Sequence, residues 1–133
     1  MKITLDSKQI QTLSMFQSIT NSSVMDCVED NGDMYFVVSE GQYGLAIGKE
    51  GFKIKKAERA FRKNIRVIEY SPDMEQFIRN MVPDITEIQV LGSAVSLKVK
   101  PVSRSRVIGK NGKNIHILNS FLKRFFGAEM KIK

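Results

Sequence analysis

The sequence carries a diverged copy of itself. Ile47-Gly48-Lys49-Glu50-Gly51 recurs 61 residues on as Ile108-Gly109-Lys110-Asn111-Gly112. At the same offset Val38 meets Val99, Ile54 meets Ile115, Phe36 pairs with Leu97, Ala46 with Val107, Phe61 with Leu122 and Arg62 with Lys123. A duplication inside 133 residues leaves two units of minimal size. A unit of about 60 residues buries only roughly 60% of the surface its unfolded chain exposes, so each half is marginal alone. No flexible linker composition separates them, which predicts two domains, 1–71 and 72–133, packed rigidly together.

The local signals repeat in the same order. Asp6 or Ser7 can cap a first helix whose apolar face is Ile10, Leu13 and Phe16. A strand at about 22–30 runs into Asn31-Gly32, a strong hairpin signal, and Met34 to Val38 return. A short turn or helix at Tyr43 to Ile47 leads to the glycine motif, after which Ile54, Ala57 and Phe61 recur at helical spacing. Ile65, Val67 and Ile68 close the unit as a strand. In the second half Ser71-Pro72 reads as a cap followed by proline at the first helical position, with Met74, Phe77, Ile78 and Met81 along that helix. Ile88 and Val90, a Gly92-Ser93 turn, and Val95, Leu97 and Val99 give a second hairpin. Ile115, Leu118, Leu122 and Phe125 mark the helix after the second motif, and Met130 to Ile132 the last strand. The fold class is α+β, with each half reading α-β-β-α-α-β.

Two in-register Gly-x-x-Gly turns, each at a helix start, have a physical use. Glycines let a phosphate backbone approach closely, and free N–H groups at a helix N-terminus favour anions. Lys49 and Lys110 add positive charge between the glycines. This arrangement resembles the KH family, whose glycine loop clamps about four backbone nucleotides of a single strand. The element order is similar to the type II form of that fold, so two tandem type II KH domains are expected. The resemblance implies an RNA-binding site at Ile47, Gly48, Lys49, Glu50, Gly51, Lys53 and Ile54 in the first unit. In the second it implies Arg106, Ile108, Gly109, Lys110, Asn111, Gly112, Lys113 and Ile115. The isoleucines would line an apolar groove for the bases, and aromatic stacking would contribute little.

The segment Ile68-Glu69-Tyr70-Ser71-Pro72-Asp73-Met74-Glu75-Gln76-Phe77-Ile78-Arg79-Asn80-Met81-Val82-Pro83 is similar to the inter-KH segment of NusA transcription factors. That resemblance covers essentially the whole chain and is nearest the short, two-KH archaeal form. It implies single-stranded RNA binding in transcription elongation, pausing or termination, with RNA polymerase as a second partner. A ribosomal KH protein, or a polymerase-associated protein-interaction module, is the alternative reading.

Charge supports an anionic partner. The net charge is +7, and the excess sits in two blocks, residues 44–66 and 84–133, while residues 1–43 are acidic. Lys55, Arg59, Arg62 and Arg66 read as one basic stripe down the first post-loop helix. Glu50 places a carboxylate in the first loop where the second has neutral Asn111, which predicts the second loop to be the stronger site. Catalysis is not expected. His116 is the only histidine and Cys27 the only cysteine, which excludes a clustered His/Cys metal site, and no cofactor is implied. The run Gly109 to Asn114 lacks the spacing and hydroxyl of a nucleotide-binding P-loop. No apolar run approaches the ~20 residues of a membrane helix, and Met1 to Leu5 lack a secretory core. A cytoplasmic protein without membrane association is the expectation.

Overall fold

The computed structural model describes residues 5–133. The chain divides into two compact units between Pro72 and Asp73. The first contains α1 (Ser7–Thr20), β1 (Val24–Asp30), β2 (Asp33–Val38), α2 (Tyr43–Ile47), α3 (Phe52–Phe61) and β3 (Asn64–Glu69). The second contains α4 (Met74–Met81), β4 (Ile85–Leu91), β5 (Ala94–Val99), α5 (Pro101–Ile108), α6 (Lys113–Phe126) and β6 (Glu129–Ile132). Each unit is an α+β fold with one three-stranded sheet, in the orders β1-β2-β3 and β4-β5-β6. The first pair in each sheet is antiparallel and the second parallel. No helix among the described residues is long and apolar enough to cross a membrane.

Local chemistry explains most boundaries. Asp6 caps α1 through a capping box: its carboxylate accepts from Gln9 N at 2.8 Å, and the Gln9 side chain accepts from Asp6 N at 3.1 Å. Asn31 and Gly32 take φ of 37° and 92°, the double positive φ that a two-residue hairpin needs, so Asp30 lies opposite Asp33. Both antiparallel ladders slip at one matching point, between Val24 and Asp26 and between Ile85 and Glu87. The duplication therefore preserves even the β-bulge.

The strands also read their burial from sequence. Met34-Tyr35-Phe36-Val37-Val38 is an unbroken apolar run and is buried at every position. Val95, Leu97 and Val99 are buried alternately with half-buried Ser96 and exposed Lys98. Inside the first unit Phe16 stacks on Phe36 at 3.9 Å, within a cluster that includes Leu13, Met34, Val38, Ala57 and Val67. In the second, fully buried Phe77 meets Phe125 edge-on at 5.6 Å. Each fully buried phenylalanine contributes on the order of 2–3 kcal/mol of apolar transfer.

Four sequence expectations need correction. The α4 cap is Asp73, which accepts from Gln76 N at 3.3 Å, so Ser71 and Pro72 precede the helix. An acidic cap beside the helix dipole displaces the serine. Ile10 is 52% exposed; the buried stripe of α1 is Leu13, Phe16 and Thr20, and the position one turn before Leu13 belongs to Gln9, whose amide donates to Cys27 O at 3.2 Å. The basic stripe does not run down one helix. Phe61 ends α3, Arg62 turns the chain at φ 58°, and Arg66 is half-buried in β3 opposite Tyr35. The 61-residue register also fails beyond α3: α6 has 14 residues against 10. Asp33 pairs with Asn64, whereas Ala94 pairs with Glu129, so α6 is longer by about one turn.

Candidate nucleic-acid interface

Each glycine motif joins two helices of its own unit. In the first unit α2 ends at Ile47, Gly48 caps it, Lys49–Gly51 forms a tight turn in which Gly51 N donates to Gly48 O at 3.1 Å, and α3 begins at Phe52. In the second, Ile108, Gly109, Lys110–Gly112 and Lys113 occupy the same places. The backbones agree within a few degrees. Gly48 and Gly109 lie at φ/ψ of 76°/173° and 80°/169°. Glu50 and Asn111 lie at 54°/27° and 57°/26°, and Gly51 and Gly112 at 74°/17° and 74°/14°. Asparagine is enriched in that left-handed region and glutamate is not, so the first loop holds its middle residue under more strain.

The two glycines of each motif do different work. A Cβ on Gly48 would lie 2.8 Å from Lys53 Cγ and 3.0 Å from Lys53 N; on Gly109 it would lie 2.7 Å from Asn114 N. The close approach allowed by the first glycine is thus taken by the chain's own helix start. Around Gly112 nothing lies within 4 Å of a Cβ position, and around Gly51 nothing closer than 3.7 Å. Gly51 and Gly112 are also N-caps without a capping side chain. The second glycine is where an outside anion can reach the helix-start N–H groups.

The remaining expected residues fall into three groups. Lys49, Glu50, Lys110, Asn111 and Arg106 are exposed. Ile47 and Ile54 are partly buried against the first unit's core, and Ile108 and Ile115 are half-buried. Each pair therefore offers only part of its surface to a groove. Lys53 is engaged: its Nζ donates to Thr20 O at 2.9 Å, at the negative C-terminal end of α1. The counterpart of Lys53 is Asn114, whose Nδ2 donates to Val107 O at 2.7 Å. That leaves half-buried Lys113 as the counterpart of Phe52. Arg104 is drawn aside as well, its Nε donating to Lys133 O at 3.2 Å. His116 is exposed and Cys27 buried, and no group of three His, Cys, Asp or Glu among the described residues could hold a metal.

Phe52 is the residue the motif reading passed over. It is 62% exposed and lines a concavity with Lys49, Glu50, Lys53 and Lys55. The signal was present, because Ile54, Ala57 and Phe61 define the inner face of α3 and leave position 52 outside it.

The KH domain family matches residues 13–106 of the chain. The probable transcription termination protein NusA of Methanocaldococcus jannaschii is 36% identical over 129 residues, covering 92% of this chain and 70% of its own. The protein of that name from Methanococcus vannielii is 39% identical over 121 residues, covering 86% and 70%. The one from Thermoplasma acidophilum is 30% identical over 133 residues, covering 96% and 92%. Among solved structures, the crystal structure of APE1850 superposes with a TM-score of 0.77 at 33% identity, covering 97% of this chain and 100% of that one.

Proposed function

The chain belongs to the KH domain family and, within it, to the NusA-like proteins, and from that premise we propose that it binds single-stranded RNA through two tandem type II KH domains. The domains are 1–71 and 72–133, and the protein acts by binding, not as an enzyme. The observation that carries this reading is the repeated loop: two backbones alike within a few degrees, each with an exposed lysine after the first glycine and an open second glycine at an uncapped helix start. A phosphate at each loop would be held by backbone N–H groups and one ammonium, with Ile47, Ile54, Ile108 and Ile115 beside the bases. The relatives carry the name of a transcription termination protein, which supports a step in transcription elongation or termination, with RNA polymerase as a proposed second partner.

Binding to a single strand, to a hairpin stem of matched length and across a salt series tests the proposal. We expect the single strand to bind more tightly, with log affinity falling linearly with log salt. Equal or tighter binding to the stem would overturn it. The two domains should reinforce one another, because the second engagement on one strand is intramolecular.

A further inference from the structure

We propose that the open concavity between the end of α3 and the β1–β2 turn is a second phosphate-binding site for the same RNA strand, outside the glycine loop. The inference rests on the RNA-binding reading above and extends it to a surface that the loop motif does not include. The concavity measures about 560 Å³, and its lining includes Gly32, Lys55, Glu58, Arg59, Arg62 and Lys63.

Two of the charges there are already committed. The Glu58 carboxylate accepts from Ile65 N at 3.1 Å, and Lys63 Nζ meets Glu29 at 2.8 Å. Lys55, Arg59 and Arg62 are exposed and have no ion-pair partner among the described residues. Lys55 and Arg59 lie one turn apart on the same helix face. Arg62 caps α3 in a left-handed conformation (φ 58°) and completes the set around the hollow. Gly32 keeps the opposite wall low, with nothing within 4 Å of a Cβ position.

Continuity with the loop selects a nucleic acid strand as the occupant. Lys55 lines both this concavity and the one at the loop that holds Lys49 and Phe52. A phosphate backbone leaving the glycine turn would therefore meet Lys55, then Arg59 and Arg62, over roughly 10 Å at 1.5 Å per helical residue. Guanidinium groups suit phosphate because they donate in a planar fork. Nor is the cluster a general property of the repeat. The matching positions on α6 are His116 and Ser120, and its cap is Gly127. The first unit, whose loop carries Glu50, is the one that places cations at both of these positions near the loop; the exposed cations of α6, Lys123 and Arg124, lie in its last turn, where Lys123 matches Arg62.

The test compares the full chain with the variant Lys55→Gln, Arg59→Gln, Arg62→Asn, asparagine being chosen because it tolerates the left-handed turn. Both are titrated, over a salt series, with a single strand of about twenty nucleotides and with one of about four, the length a glycine loop clamps. The expected result is a loss of tenfold or more for the long strand at low salt. The slope of log affinity against log salt should fall by roughly 2, at ~0.7 per lost single-strand phosphate contact, while the short strand is unaffected. An unchanged slope with the long strand would overturn the site, as would equal weakening of both lengths. Loss of binding to polyglutamate with RNA affinity intact would assign the surface to an acidic protein instead. A wild-type chain that binds neither strand would sink the RNA reading itself. If circular dichroism shows the triple variant unfolded, Arg59→Ser, the residue of the second unit, should stay folded and lower the slope by about 0.7; no change there would equally overturn the site.

Discussion

In the first unit the glycine loop sets Lys49 beside Glu50, and further cations follow at Lys55 and Arg59 on α3 and at Arg62, its cap. In the second the loop sets Lys110 beside Asn111, with Arg106 exposed just before it, while the helix that follows has His116 and Ser120 where the first has Lys55 and Arg59, and keeps its exposed cations, Lys123 and Arg124, for its last turn. The loop backbones are the same to within a few degrees. Conformation has thus been kept and charge has moved. A glycine loop is held by backbone geometry that few sequences satisfy, whereas a positive charge can act from several exposed positions around it. The first glycine of each motif tightens this, because it is packed against its own helix start and cannot drift even where no ligand depends on it.

The comparison can be broken first through that packing. Gly109→Ala and Gly48→Ala should each cost about 2–3 kcal/mol, since a left-handed backbone and a Cβ collision coincide. Gly109→Ala should be the worse, because its Cβ would meet backbone N of Asn114, while at Gly48 the nearest atom is Cγ of a side chain that can yield. Urea midpoints on the full chain check this, and a reversed order would show that the backbone contact at Gly109 is not the costlier of the two. Next, Lys53→Met should cost about 1 kcal/mol by removing the ammonium from Thr20 O. A change in RNA affinity with no change in stability would instead make Lys53 a ligand contact.

Smaller effects sharpen the charge difference. Glu50→Asn should make the first loop resemble the second, raising stability by about 0.5–1 kcal/mol through relief of left-handed strain and strengthening RNA binding several-fold. Asn111→Glu should do the reverse. If neither exchange shifts affinity, the loop residue is not what separates the two sites. Least of all, Glu29→Gln should cost a few tenths of a kcal/mol, as an exposed pair does. The hydrogen bond from Lys63 holds the Glu29 carboxyl below its ordinary range, aided by the charges of Lys63 and Lys8 and opposed by burial. A carboxyl lowered on folding stabilises above its unfolded pKa, and that contribution is lost as pH falls through the folded value. Acid titration of stability should therefore be flatter in Glu29→Gln. The second unit has Val90 at that position and no such pair to lose.

The repeat, the element order, the Asn31-Gly32 turn and the Asp6 cap could be read from the chain because each depends on residues within a few positions of one another. The unbroken run of β2 and the alternation of β5 likewise carried their own burial. The end of α3 could not be read in that way. Gly127 announces the end of α6, but Arg62 takes the same left-handed turn with no glycine to mark it. It is placed there because β3 must begin at Asn64 opposite Asp33, with Lys63 reaching Glu29 and Glu58 accepting from Ile65. The exposure of Ile10, the capture of Lys53 by Thr20 and the assembly of Lys55, Arg59 and Arg62 around one hollow have the same origin. The sequence by itself determined the turns and the loops, whose conformation is a local matter. The tertiary structure alone decided which cations are spent on the fold and which are left for a ligand, because that depends on carbonyls and carboxylates brought near from distant parts of the chain.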